Sequence, residues 1–214
     1  MDTRAWRRLT PFLSPLLALL WLVLASGPLH AAGVVGDGTP GSCTDAAFDA
    51  KFTGGGLVTF DCGPNPITII VNTRVVNSGE TTIVDGGDLI TLDGENLRQP
   101  FLVLGGGDLT LRHITLQNGN FGSGGALFVD QNGSAHLLAV TIQDSKAEGS
   151  DGDGGAVQNR GELVVDGSRF LRNHANDGGG AINNNGGTVT IRSSTFIKNT
   201  ALNGGAINNA SGTI

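Results

Sequence analysis

One tetrapeptide pattern constrains this chain more than any other feature. Gly124-Gly125-Ala126-Leu127, Gly154-Gly155-Ala156-Val157, Gly179-Gly180-Ala181-Ile182 and Gly204-Gly205-Ala206-Ile207 repeat one motif, with the alanines 30, 25 and 25 residues apart. A steady period in this range marks a repeat architecture. Each unit is too small to bury a core alone and is stabilised by stacking on its neighbours.

The last two units align without gaps. The run 162–175, Glu-Leu-Val-Val-Asp-Gly-Ser-Arg-Phe-Leu-Arg-Asn-His-Ala, matches 188–201, Thr-Val-Thr-Ile-Arg-Ser-Ser-Thr-Phe-Ile-Lys-Asn-Thr-Ala. Looser copies begin at Leu137 and Leu109. Apolar residues alternate within each unit: Val189, Ile191 and Phe196 fall on one side, Thr188, Thr190 and Arg192 on the other. Period-two runs rich in Val, Ile and Thr, bounded by Gly and Asn, read as strands, and no sustained helical period follows residue 56. These features predict an all-β fold, a right-handed parallel β-helix. It is a solenoid of three-strand coils of about 25 residues, stacked at roughly 4.8 Å. Equivalent residues then form ladders: Phe170 over Phe196, and Asn183 and Asn184 over Asn208 and Asn209. The glycine pairs (Gly124 and Gly125, Gly154 and Gly155, Gly179 and Gly180, Gly204 and Gly205) suit a corner needing positive φ, with a small Ala just inside.

The first 32 residues do not belong to this pattern. Arg4, Arg7 and Arg8 precede the apolar stretch Phe12 to Leu24, and small residues follow up to Ala31 and Ala32. This is the layout of a secretory signal peptide, with the apolar run short of the ~18 residues a span needs. Without it the chain has no Trp or Tyr. It keeps 10 of 13 basic and 18 of 19 acidic residues, a net charge of −8. Such a balance excludes nucleic acid as a natural partner, and no second apolar run offers a membrane span. Residues 33–42 read as a Gly-rich linker and 43–56 as a cap, in which a short helix follows Thr44 or Ser42. Residues 57–214 form the β-helix. The last copy stops inside a strand with no capping sequence, so the β-helix is expected to be truncated there. Cys43 and Cys62 make an even count in an exported chain, which favours a disulfide.

Phe170…Asn173 and Phe196…Asn199, each followed by Gly-Gly-Ala-Ile, resemble the polymorphic outer membrane protein repeat of right-handed parallel β-helix proteins in the pectin-lyase-like superfamily. The segment from Cys43 through Gly54-Gly55-Gly56 to Cys62 is similar to the N-terminal cap of many bacterial members. The resemblance covers 43–214. Earlier units depart from it, with Ser145 and Gly119 in place of the asparagine. It implies an extracellular or outer-surface location and a structural or adhesin-like role. The partner would be a cell-surface or extracellular polysaccharide or protein.

The competing class is a polysaccharide lyase or glycoside hydrolase. Hydrolysis needs two carboxylates across a sugar ring. Asp85, Asp88 and Asp93 are the candidates, although Asp85-Gly86-Gly87-Asp88 and Asp93-Gly94 are also turn signals. The absence of Trp and Tyr counts against a sugar cleft. The 30-residue interval adds a loop at Gly149 to Asp153. There Asp151 and Asp153, with Asp177 one coil on, are the candidates for Ca²⁺ through oxygen ligands. No other cofactor is implied. His113, His136 and His174 lie in separate units and share no metal-ligand spacing.

Overall fold

A computed structural model describes residues 32–150 and 152–214. The expected signal peptide, except Ala32, lies outside them. The chain winds into an all-parallel β-solenoid of about seven turns, each of about 26 residues. Three strand ladders form its faces. Face A stacks 56–60, 81–85, 108–112, Ser134–Leu138, Glu162–Asp166 and 188–192. Face B stacks Ile67–Ile70, 90–93, 114–117, Thr141–Gln143, Arg169–Leu171 and Thr195–Ile197. Face C stacks Arg74–Val76, Phe101–Val103, Leu127–Val129, Val157–Asn159, 182–184 and 207–209. A fourth ladder, which the three-strand reading omits, pairs Asn120–Phe121, Lys146–Ala147 and His174–Ala175 between faces B and C. Two-residue strands carry too little alternation to register in the sequence.

Alternation sets the inside from the outside. In 108–117, Leu109, Leu111, Ile114 and Leu116 are buried while Thr110, Arg112, Thr115 and Gln117 keep contact with solvent. Like residues stack along the axis, so one column reads Leu92, Leu116, Ile142, Phe170 and Phe196.

The A-to-B corner is made by one left-handed residue, which lets Asp108–Gln117 continue through it as a single strand. The residues there are His113, Ala139, Gly167 and Ser193, with φ of 47–57°. A second left-handed column, Asn118, Asp144, Arg172 and Lys198, closes face B. Non-glycine residues rarely adopt this conformation. Here the repeating ladder imposes it from both sides.

The N-terminal end is closed. Helix α1, Asp45–Phe52, starts at Thr44, whose Oγ1 accepts from the Ala47 N–H at 3.2 Å. Its Phe48 and Phe52 are buried and meet Phe101 at ring distances of 6.5 and 5.9 Å. Arg74, 4% exposed, lies over the Phe48 ring at 5.0 Å and donates to Asp45. The Cys43–Cys62 disulfide joins the segment before α1 to the end of the first face A strand, with Cα atoms 5.7 Å apart. The segment 33–42, expected as a linker, is instead built in: Gly33–Val35 pairs parallel to 58–60, and a 3₁₀ turn at Pro40–Ser42 follows. A three-residue strand that itself begins with glycine is too short to show an alternating pattern in the sequence.

Candidate functional site

The paired glycines serve two different physical needs. Gly124, Gly154, Gly179 and Gly204 have φ of 67°, 66°, 64° and 57°, where a side chain is strained. The second glycines do not have positive φ. A Cβ at Gly125 would fall on the Gly155 carbonyl oxygen, one at Gly155 on that of Gly180, and one at Gly180 on that of Gly205. At Gly205 nothing lies nearer than the Asn199 oxygen, 3.4 Å away. The alanines Ala126, Ala156 and Ala181 behind them are fully buried. These corners bring successive coils into backbone contact and leave no space for a ligand.

Phe170 and Phe196 stack with ring centroids 4.8 Å apart and planes 6° from parallel. The asparagines three residues beyond each phenylalanine turn inward. Asn173 Nδ2 donates to the Ile142 carbonyl and Asn199 Nδ2 to that of Phe170, both at 2.9 Å. Asn173 Oδ1 accepts from Ser145 N–H, and Ser145 Oγ from Gly119 N–H. Ser145 therefore takes the asparagine's place in the column with a shorter acceptor.

Two amide ladders run along face C. Asn159 Nδ2 donates to Asn184 Oδ1 at 2.8 Å, and Asn184 Nδ2 to Asn209 Oδ1 at 2.9 Å. Beside it, Asn208 Nδ2 donates to Asn183 Oδ1 at 2.7 Å, and Asn183 Nδ2 to Gln158 Oε1 at 3.0 Å, in the opposite direction. In earlier coils Val103 and Val129 occupy the inner position. Their following turns close by backbone bonds, Gly107 N–H to Leu104 O and Gly133 N–H to Asp130 O. The later turns are shorter, and Asn159 and Asn184 donate to the carbonyls of Gly161 and Gly187 instead.

Two of the three carboxylates considered for catalysis, Asp85 and Asp93, are held in turns. Asp85 Oδ1 accepts from Gly87 N–H at 3.1 Å, and its Oδ2 meets Arg112 Nε at 2.7 Å. Partial burial opposes its charge, but the Gly87 N–H, the Arg112 guanidinium and the His113 ring outweigh it. Asp85 is therefore held below the usual carboxylate range. Asp93 accepts from Glu95 N–H at 2.7 Å and from the side chains of Gln117 and Asn118. Asp88 is exposed at φ 62° and borders a cleft of about 220 Å³ with His113, Thr115 and Thr141. Asp85 and Asp93 are both Asx-turn acceptors.

Of the calcium candidates, Asp151 lies outside the described residues. Asp153 Oδ1 accepts from Gly178 N–H at 2.9 Å, and Asp177 Oδ1 from Asn203 Nδ2 at 2.8 Å. Among the described residues no group of three or more His, Cys, Asp or Glu side chains is placed to hold a metal ion. None of their helices is long and apolar enough to cross a membrane.

Stacking also assembles groups that sequence distance hides. Asp108, Ser134 and Glu162 occupy one outward column of face A. Ser134 Oγ lies 3.3 Å from His136 Nε2, and Asp108 Oδ1 lies 4.0 Å from that same nitrogen. A nucleophile relay requires serine and carboxylate on opposite ring nitrogens, so this trio is not one. Ser134 and Glu162 line an open groove of about 310 Å³, with Arg160 and Thr188 on its walls. The signal that locates these residues is the repeat alignment itself, which sets 108, 134 and 162 in register.

No family model matches the chain, and neither a curated protein nor a solved structure matches it.

Proposed function

We propose that this chain is an exported or surface-displayed solenoid rod with a structural or adhesive role. The observation that carries the reading is how the distinctive residues are employed. Asp85 and Asp93 serve as turn acceptors, the glycine pairs are close-packed corners, and the asparagines satisfy backbone carbonyls inside the coil. A disulfide across the cap supports an oxidising location, as does the signal-like order of residues 1–32. The repeats resemble those of surface-displayed polymorphic outer membrane proteins, and that family reading is part of the proposal. Binding of labelled protein to cells or extracellular matrix without turnover is the expected result. Retention of the protein in the cytosol of its source would refute export.

A second reading, a glycoside hydrolase, rests on the column Asp108, Ser134, Glu162. Two strand spacings place the backbones of Asp108 and Glu162 roughly 9.6 Å apart, from which their side chains can lean to the separation of an inverting pair. Release of reducing ends from a polysaccharide panel, abolished by Glu162→Gln, would replace the structural reading with this one. Unsaturated ends would indicate a lyase.

A further inference from the structure

We propose that face B is a self-association surface on which a second copy of this chain binds antiparallel. Face B has a charge gradient along the solenoid axis. Around its second rung stand Asp88, Asp93 and Glu95 against one basic residue, Arg98, which pairs with Glu95 at 2.7 Å. Around its last two rungs stand Arg169, Arg172 and Lys198, with Arg172 paired to Asp144 of the preceding rung at 2.7 Å.

Between these ends the central outward column is mostly threonine. Its central column reads Thr68, Thr91, Thr115, Thr141, Arg169 and Thr195. The neighbouring outward column begins at Ile70 and ends at Ile197, which are 51% and 42% exposed. The other faces lack these properties. Face A mixes both signs along its length, with Asp85 beside Arg112 and Asp166 beside Arg192. The outward side of face C is covered at Gln158 and Asn183, both buried.

Two faces of this kind can meet about a two-fold axis in only two ways that keep their rungs opposed. A parallel pair sets acid against acid and base against base. An antiparallel pair, with the axis along the strands, sets rung 90–93 of one copy against rung 169–171 of the other. Asp88 and Asp93 then flank Arg169, Glu95 faces Arg172 and Lys198, and Ile70 meets Ile197. Each contact occurs twice, as an isologous interface requires. Six rungs at about 4.8 Å and four residues at about 3.3 Å, with the corner side chains, cover on the order of 500 Å² per copy. The total of about 1,000 Å² lies at the low end for specific interfaces, so the dimer is weak and salt-sensitive.

The test is sedimentation equilibrium of the purified chain over a concentration series. A reversible dimer is expected, with a dissociation constant rising at least about tenfold from about 0.05 M to about 0.5 M NaCl. Arg169→Glu/Lys198→Glu and Asp88→Lys/Glu95→Lys should each be monomeric while keeping the β circular dichroism signal. An equimolar mixture of the two should restore a dimer, because every reversed charge then meets a reversed partner. A monomer under all conditions would overturn the proposal. So would a dimer indifferent to salt and to both variants, or a mixture that fails to associate.

Discussion

The two glycines of each corner allow a sharp test, because the same substitution should act oppositely at equivalent positions. In Gly155→Ala the new methyl falls on the carbonyl oxygens of Gly180 and His174. Both are backbone atoms, so no side-chain rotation relieves the overlap and the coils must separate. The bonds at risk are Gly155 N–H to Gly179 O at 3.0 Å, Ala156 N–H to Ala181 O at 3.0 Å and Val157 N–H to Ala181 O at 2.8 Å. Overpacking costs ~1–3 kcal/mol and each weakened bond up to ~1, so a loss of about 3–5 kcal/mol is expected. At Gly205 the φ is not positive and the nearest oxygen is 3.4 Å away. Gly205→Ala should therefore be neutral, or stabilising by ~0.4–1 kcal/mol through a less flexible unfolded chain. Urea unfolding followed by circular dichroism measures both, and hydrogen exchange at Ala156 and Val157 locates the damage. Equal losses at the two sites would refute the argument that the second glycine is required by the coil stacked beyond it.

Other substitutions test the ladders and corners. Phe170→Ala should cost ~3–5 kcal/mol in urea unfolding, since Phe170 is fully buried. Phe196→Ala should cost clearly less, because Phe196 is only partly buried, and the reverse order would contradict the stacking. Ala139→Gly removes a left-handed strain of ~1–2 kcal/mol against an entropic cost of ~0.5–1, so melting temperature should hold or rise. Asp85, with its lowered pKa, stabilises the fold above the ordinary carboxylate value of about 4, and that stability is lost as pH falls through its folded value. Asp85→Asn should thus be less stable at pH 7, and the gap should close in acid. A gap that widens on acidification would exclude this role.

The repeat made the solenoid legible because stacking imposes the same demand on every coil. Glycine pairs, alternating apolar residues and the asparagine after each phenylalanine recur at fixed offsets because each stacked neighbour makes the same demand again. Other features stayed hidden where the demand falls on the backbone and not on residue type. His113, Ala139, Gly167 and Ser193 share a left-handed corner and have nothing else in common, so no pattern marks them. Strand Gly33–Val35 is too short to alternate, and only its pairing with 58–60 shows that it begins the stack.

The same logic explains why function is harder to read than fold. In a solenoid, residues that look like site chemistry are recruited by the coil: Asp85 and Asp93 cap turns, and Asn173 and Asn184 donate to backbone carbonyls. What stacking does not demand is therefore the better guide to function. The charge gradient of face B and the column Asp108, Ser134, Glu162 are such features. Neither follows from the need to close a coil, and both vary from rung to rung where the core repeats. A gradient of charge costs the fold little, because most of its members are exposed, yet it gives the rod a direction. That polarity distinguishes one end of the lateral surface from the other, which a uniform repeat does not do.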